Sequence, residues 1–171
     1  PAMSWSFVRR RMAGELGADW QSKFLDFDQG ASAAASLGQV HRATTMDGRA
    51  IACKLQYPDM SSIVEADLKQ LRLIFNIYRR YDKAIEPSAI HTELAARLRE
   101  ELDYFREAKN MKLYKNILTA ETNVHVPEVV NELCAERLLS MTWLEGDPLL
   151  AFIKTHQNVS ARNALAINMF R

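Results

Sequence analysis

One lysine and a downstream run of carboxylates are the residues of this chain best suited to chemistry. Lys54 lies in an apolar segment, Ile51-Ala52-Cys53-Lys54-Leu55. An ammonium in such a strand must extend to water or meet an anion, because burying an unpaired charge is prohibitive. Its ordinary reading is an edge-strand lysine facing outward, and its chemical reading is a cation that holds a phosphate. The candidate partner is the run Glu100 to Glu107 with Asn110 beyond it. On a helix, Asp103, Glu107 and Asn110 fall at i, i+4 and i+7 along one polar stripe, with Glu101 near its flank. Such a stripe is ordinarily a solvated face paired with Arg97, Arg99, Arg106 and Lys109. The chemical alternative is one carboxylate that holds Lys54, with others holding a metal or ordering a neighbouring segment.

The third feature is a loop of small residues, Ala33-Ala34-Ala35-Ser36-Leu37-Gly38-Gln39, just upstream of the lysine strand. Loops that cradle phosphates use glycine, which lets backbone amides approach closely; alanine is stiffer there. An alanine run is ordinarily helix or tight packing, so this loop alone carries little weight.

The elements that must position these residues follow from periodicity. Trp5, Val8, Met12, Leu16 and Trp20 recur at helical steps, predicting a helix over Ser4–Phe24. Phe24–Asp28 reads as a short strand. Gln39–Thr44 and Arg49–Gln56 read as a hairpin joined by Met46-Asp47-Gly48 and ended by Tyr57-Pro58. Ser61 or Ser62 with Glu65 has capping-box spacing, predicting a helix to about Tyr81. Pro87 opens a second helix that continues to about Leu118, with Ile90, Leu94, Leu98, Leu102, Phe105 and Ala108 on one face. Val124–Val130 and Glu136–Leu144 read as two further strands, and Leu149–Thr155 and Ser160–Phe170 as short helices. The fold class is therefore α+β, a small antiparallel sheet of about five strands with long helices packed on it.

Composition narrows the function classes. The 171 residues are about one domain, 48% hydrophobic and 25% charged, as in a globular protein. A net charge of +1, from 22 basic against 21 acidic side chains, gives no electrostatic reason to expect nucleic acid. Cys53 and Cys134 form no disulfide framework, and His41, His91, His125 and His156 have no metal-ligand spacing. No apolar run approaches the roughly 18 residues that span a bilayer, so this stretch is expected to be soluble.

Taken together, AAASLGQVH at Ala33–His41, IACKLQYP around Lys54 and EELDYFREAKN at Glu100–Asn110 resemble the UbiB family of atypical kinase-like ATPases. The resemblance extends upstream to Val8 and downstream through LLSMTWLEGDPL at Leu138–Leu149. It implies a kinase-like N-lobe over 1–145 and the start of a C-lobe over 146–171. It implies ATP or ADP with Mg2+ as cofactor, and support of ubiquinone or related prenyl-lipid biosynthesis. Ala33, Ala34, Ala35, Ser36, Leu37, Gly38, Gln39 and Val40 would cover the nucleotide, the alanine loop replacing a glycine-rich one. Lys54 would contact the phosphates and Glu107 would pair with it. Glu101 and Asp103 match the family's E-x-D element, which by resemblance organises an N-terminal extension over the active site. Met141, Thr142, Trp143 and Leu144 sit where the interlobe hinge takes the adenine edge.

The family's K-x-G-Q motif is expected upstream of Pro1, and its catalytic and metal-binding residues beyond Arg171, so no metal ligands are expected within this chain. The chain is thus expected to be part of a longer enzyme and inactive alone. The full-length protein is expected in the cytoplasm at the inner membrane, or in the mitochondrial matrix of a eukaryote. Its implied partners are ubiquinone-biosynthesis proteins and a membrane surface. The rival readings are a non-catalytic, pseudokinase-like scaffold and a true protein kinase, the latter disfavoured by the stiff alanine loop.

Overall fold

The computed structural model describes residues 2–79, 87–155 and 158–170. Strand alternation builds its centre. In β3 (Gly38–Thr45), Gln39, His41, Ala43 and Thr45 are buried while Arg42 is exposed. In β4 (Ala50–Gln56), Ile51, Cys53 and Leu55 turn into the core. Because side chains alternate with period two, Ala52 and Lys54 must face the opposite side. The two strands pair antiparallel with Val40 opposite Lys54. They are joined at Gly48, whose φ of 84° suits glycine. β1 (Phe24–Phe27) and β2 (Ala33–Ala34) both pair with β3, and β5 (Leu138–Thr142) pairs with β4.

Each face of this antiparallel sheet carries a helix. On one face α1 (Trp5–Leu16) places Val8 and Met12 in a cluster with Trp20, Phe24, Ile51, Cys53, Leu55 and Leu138. Fully burying side chains of this size contributes about 1.5–3 kcal/mol each. On the other face α4 (Tyr104–Ile117) places Tyr104 and Ala108 against Leu139. Between β4 and α4 run α2 (Met60–Tyr78) and α3 (Pro87–Leu102), which share a separate cluster of Val64, Leu68 and Ala95. After β5 come α5 (Leu149–Thr155) and α6 (Val159–Phe170), neither with a buried residue.

The structure departs from the periodicity in several places. The first helix stops at Leu16 rather than running to Phe24, because Gly17 takes a φ of 97° and its amide returns to the Ala13 carbonyl. Trp20 then lies in a short 3-10 turn. The second predicted helix opens at Met60 behind Asp59, whose φ of 57° sets the entry, so Ser61 and Ser62 are not caps. Its expected end near Tyr81 lies outside the described residues.

The helix expected over 87–118 is two helices broken at Asp103. Leu98 and Leu102 pack on α2, whereas Tyr104 and Ala108 pack on the sheet; one straight helix cannot serve both. Phe105, expected on the apolar face, is exposed. The strand expected over Val124–Val130 is reduced to a single bridge, Val129 with Met141, and the strand expected at Glu136–Leu144 spans only Leu138–Thr142. The fifth strand is instead β2, from within the alanine segment.

Candidate functional site

The site is assembled where β4 meets the first turn of α4. Lys54 Nζ donates to both carboxylate oxygens of Glu107, each at 2.7 Å. The two side chains are 19% and 36% exposed, so the pair is shielded on one side and open on the other. The lysine also lies 4.9 Å from the centroid of the Tyr104 ring, a cation–π contact. The ordinary outward-facing reading of Lys54 therefore fails: its strand is flanked by β3 and β5, and its charge is paired.

Two features of α4 place Glu107. Asp103 caps the helix, its Oδ1 accepting from the Arg106 amide at 2.9 Å. Glu100 then ties the helices across the break, with Arg106 at 2.8 Å and Arg97 at 3.1 Å. Asp103 thus acts on backbone rather than sharing the stripe of Glu107 and Asn110. Glu101 is exposed and makes no ion pair among the described residues. Together with Lys54, Glu107 and Asn110 it lines an open cavity of about 490 Å³ on this side of the sheet.

Across β3 from Lys54, the alanine segment is a tight hairpin. Ala33 pairs with Val40 and Ala34 with Gln39. The Ala35 amide donates to the Gly38 carbonyl at 2.9 Å, and the Tyr57 amide to the Leu37 carbonyl at 3.0 Å. Ala33, Ala34 and Ser36 are exposed, Ala35 and Leu37 half-buried. Gly38 is required by proximity: a Cβ there would stand 2.4 Å from the Leu55 carbonyl oxygen and 3.0 Å from Tyr104 Oη. The Gln39 side chain is wholly buried, on the opposite face of the sheet from Lys54. Val40 shares the Lys54 face by alternation.

The predicted hinge residues follow along β5. The Thr142 amide donates to the Glu128 carbonyl and the Trp143 amide to the Ala50 carbonyl, so neither is available to a ligand. The Leu144 amide has no partner among the described residues. Trp143 packs under Arg42, whose guanidinium lies 4.9 Å from the ring centroid and pairs with Glu145 at 3.1 Å.

Periodicity alone missed Tyr104. It stands three residues before Glu107 and therefore on the same helical face, which is the signal that could have found it. Burial, with Glu107 and Glu101 adding negative potential, pushes its phenol well above the usual tyrosine range. Its hydroxyl is buried and has no hydrogen-bond partner among the described residues. Among the described residues there is no group of three His, Cys, Asp or Glu able to hold a metal.

This lysine–glutamate pair joining a strand to a helix stands within a recognised domain. All of residues 1–171 match the ABC1 atypical kinase-like domain. The chain belongs to the ABC1 atypical kinase-like family. It is 35% identical over 152 residues to the mitochondrial atypical kinase coq-8 of Caenorhabditis elegans, covering 89% of this chain and 20% of that protein. It is 31% identical to the mitochondrial atypical kinase COQ8 of Saccharomyces cerevisiae, covering 96% and 32%. Against the probable protein kinase UbiB of Aeromonas hydrophila it is 31% identical, covering 87% and 28%. Among solved structures it matches Mycobacterium tuberculosis Rv3197, solved in complex with erythromycin, at TM-score 0.82 and 32% identity, over 95% of this chain and 41% of that one. The ABC1 chain thus spans about a fifth to a third of the length of these curated relatives. No helix among its described residues is long and apolar enough to cross a membrane.

Proposed function

We propose that this chain is the nucleotide-binding N-lobe, with the start of the C-lobe from about residue 146, of a UbiB-type atypical kinase or ATPase. The observation that carries the reading is the pair of 2.7 Å bonds from Lys54 to Glu107, with the alanine hairpin one strand away across β3. Glu107 holds the ammonium at one edge of an open cavity, oriented to meet the phosphates of ATP or ADP. Exposed Ala33, Ala34 and Ser36 would cover the nucleotide, and Val40 and Ala52 offer an apolar surface beside it. The Leu144 amide is the donor available to an adenine edge. A bound magnesium nucleotide would supply the transferable phosphoryl group; this chain's residues orient it and exclude water on one side. The proposed role of the complete protein is support of ubiquinone or related prenyl-lipid biosynthesis at a membrane surface, alongside other proteins of that synthesis.

The test is thermal unfolding of the full-length gene product with and without Mg-ADP, together with ATP turnover. The expected result is a nucleotide-dependent rise in Tm that Lys54→Met removes. An equal rise in the variant would overturn the assignment.

A further inference from the structure

Behind the hairpin roof, on the core face of β3, runs a buried polar chain. The Met3 amide donates to Gln39 Oε1 at 2.7 Å. The Gln39 side-chain nitrogen lies 2.8 Å from His41 Nε2, and His41 Nδ1 lies 2.9 Å from the Asp28 carbonyl oxygen. Gln39 and His41 are both wholly buried, and the Phe27 ring stacks on the imidazole at 5.2 Å.

The donor directions follow from the partners. A carbonyl only accepts, so Nδ1 carries the proton and Nε2 of the neutral ring accepts from the Gln39 amide. Gln39 Oε1 is then free to accept from Met3, while one N–H of its amide meets His41 Nε2. The alanine segment lies between Asp28, one residue past β1, and Gln39, the second residue of β3, so the Gln39 and His41 side chains hold both of its ends.

We infer that Gln39 and His41 are positioning residues whose hydrogen-bonded chain sets where the alanine hairpin stands across β3 from Lys54, and thereby how tightly nucleotide is held. The inference rests on the nucleotide reading above. Protonating His41 would point an N–H from Nε2 at the Gln39 amide, two donors face to face. Either Gln39 turns over and loses Met3, or the ring moves and loses Asp28, and one end of the roof is released. The titratable groups facing the ring are Asp28, whose charge and carbonyl favour the extra proton, and Cys53 across β4, whose thiol stays neutral. The Gly30 backbone also favours it, but burial outweighs these and holds the ring's proton affinity below the ordinary histidine range.

The experiment uses the full-length protein as wild type, Gln39→Leu, His41→Asn and, as a core-face control, Ile51→Val. Mg-ADP affinity is measured by calorimetry at pH 7.5 and 5.5, and amide exchange over residues 31–38 without nucleotide. At pH 7.5, Gln39→Leu is expected to bind Mg-ADP about fivefold more weakly, the effect of roughly one net hydrogen bond. Its roof amides exchange faster than those of Ile51→Val, whose affinity is unchanged. Wild type loses more affinity than His41→Asn on going to pH 5.5, because asparagine does not titrate; the nucleotide's own titration is common to both. Unchanged roof exchange in Gln39→Leu, or affinity within twofold of a wild type that binds, overturns the inference. If wild type binds no Mg-ADP, the nucleotide reading falls, while roof exchange still decides the positioning role. Should Gln39→Leu not fold, wild-type roof protection at the two pH values, corrected for the intrinsic pH dependence of exchange, decides it: lower protection at pH 5.5 supports the inference and equal protection overturns it.

Discussion

Removing the ammonium of Lys54 tests the centre of the site. The perturbation is Lys54→Met and Glu107→Gln, singly and together, in the full-length protein. Nζ lies 2.7 Å from both carboxylate oxygens. At that separation, two unit charges attract by about 1.5 kcal/mol in bulk water and several-fold more near a protein surface. Desolvation and side-chain ordering offset most of this, leaving about 1.5–3 kcal/mol for a hydrogen bond between charged groups. Glu107 is 36% exposed, so solvent screening brings the expected coupling down to about 1 kcal/mol. Loss of the contact with the Tyr104 ring adds about 0.5–1 kcal/mol to the Lys54→Met single variant.

The effect on nucleotide is larger than the effect on folding. Ligand at a hundred times Kd stabilises the folded state by about 2.7 kcal/mol. If removing Lys54 weakens binding about 100-fold, the same ligand concentration leaves only about 0.4 kcal/mol. The assay is thermal unfolding of the four proteins with and without Mg-ADP. Additive losses in the cycle would show that the pair is not coupled. A full nucleotide shift in Lys54→Met would show that the cation does not meet phosphate.

Three further outcomes test other parts of the fold. Gly38→Ala forces a Cβ against the Leu55 carbonyl, which cannot move independently; the expected loss is about 1–3 kcal/mol of stability, read by denaturant unfolding. Asp103→Ala removes a helix cap and should cost about 1 kcal/mol, whereas exposed, unpaired Glu101→Gln should leave stability unchanged; equal losses would refute the division of labour within the E-x-D element. Burial holds His41 below its ordinary 6.5, so the unfolded chain binds more protons between the folded value and 6.5. Stability is therefore fullest above about 6.5 and falls as pH drops toward the folded value. His41→Asn should flatten that slope in a pH series of unfolding midpoints, and an unchanged slope would remove His41 as its source.

Local patterns carried much of this protein. The alternation of Ile51, Cys53 and Leu55 around Lys54, with a Met-Asp-Gly turn between the strands, specifies a hairpin that buries one face and turns Lys54 to the other. The helical period over Val8 and Met12, and the proline at the start of α3, likewise place those elements without knowledge of neighbours. A lysine among apolar residues needs an anion, but with 21 acidic side chains in the chain it was the family resemblance that singled out Glu107.

Tertiary packing decided the rest. Whether Asp103 lies within a helix or caps one depends on the directions in which Leu102 and Tyr104 must point, and those directions are set by α2 and the sheet. The alanine segment becomes a strand because β3 offers it a partner, a contact that no local propensity encodes. Gln39 and His41 look like ordinary polar residues in a strand; only burial behind the roof, with Met3 and Asp28 at either end, joins them into a chain. The physical reason is common to all three. Periodicity fixes which face a side chain takes, while the partner on that face comes from distant sequence, and a buried donor or charge is defined by its partner.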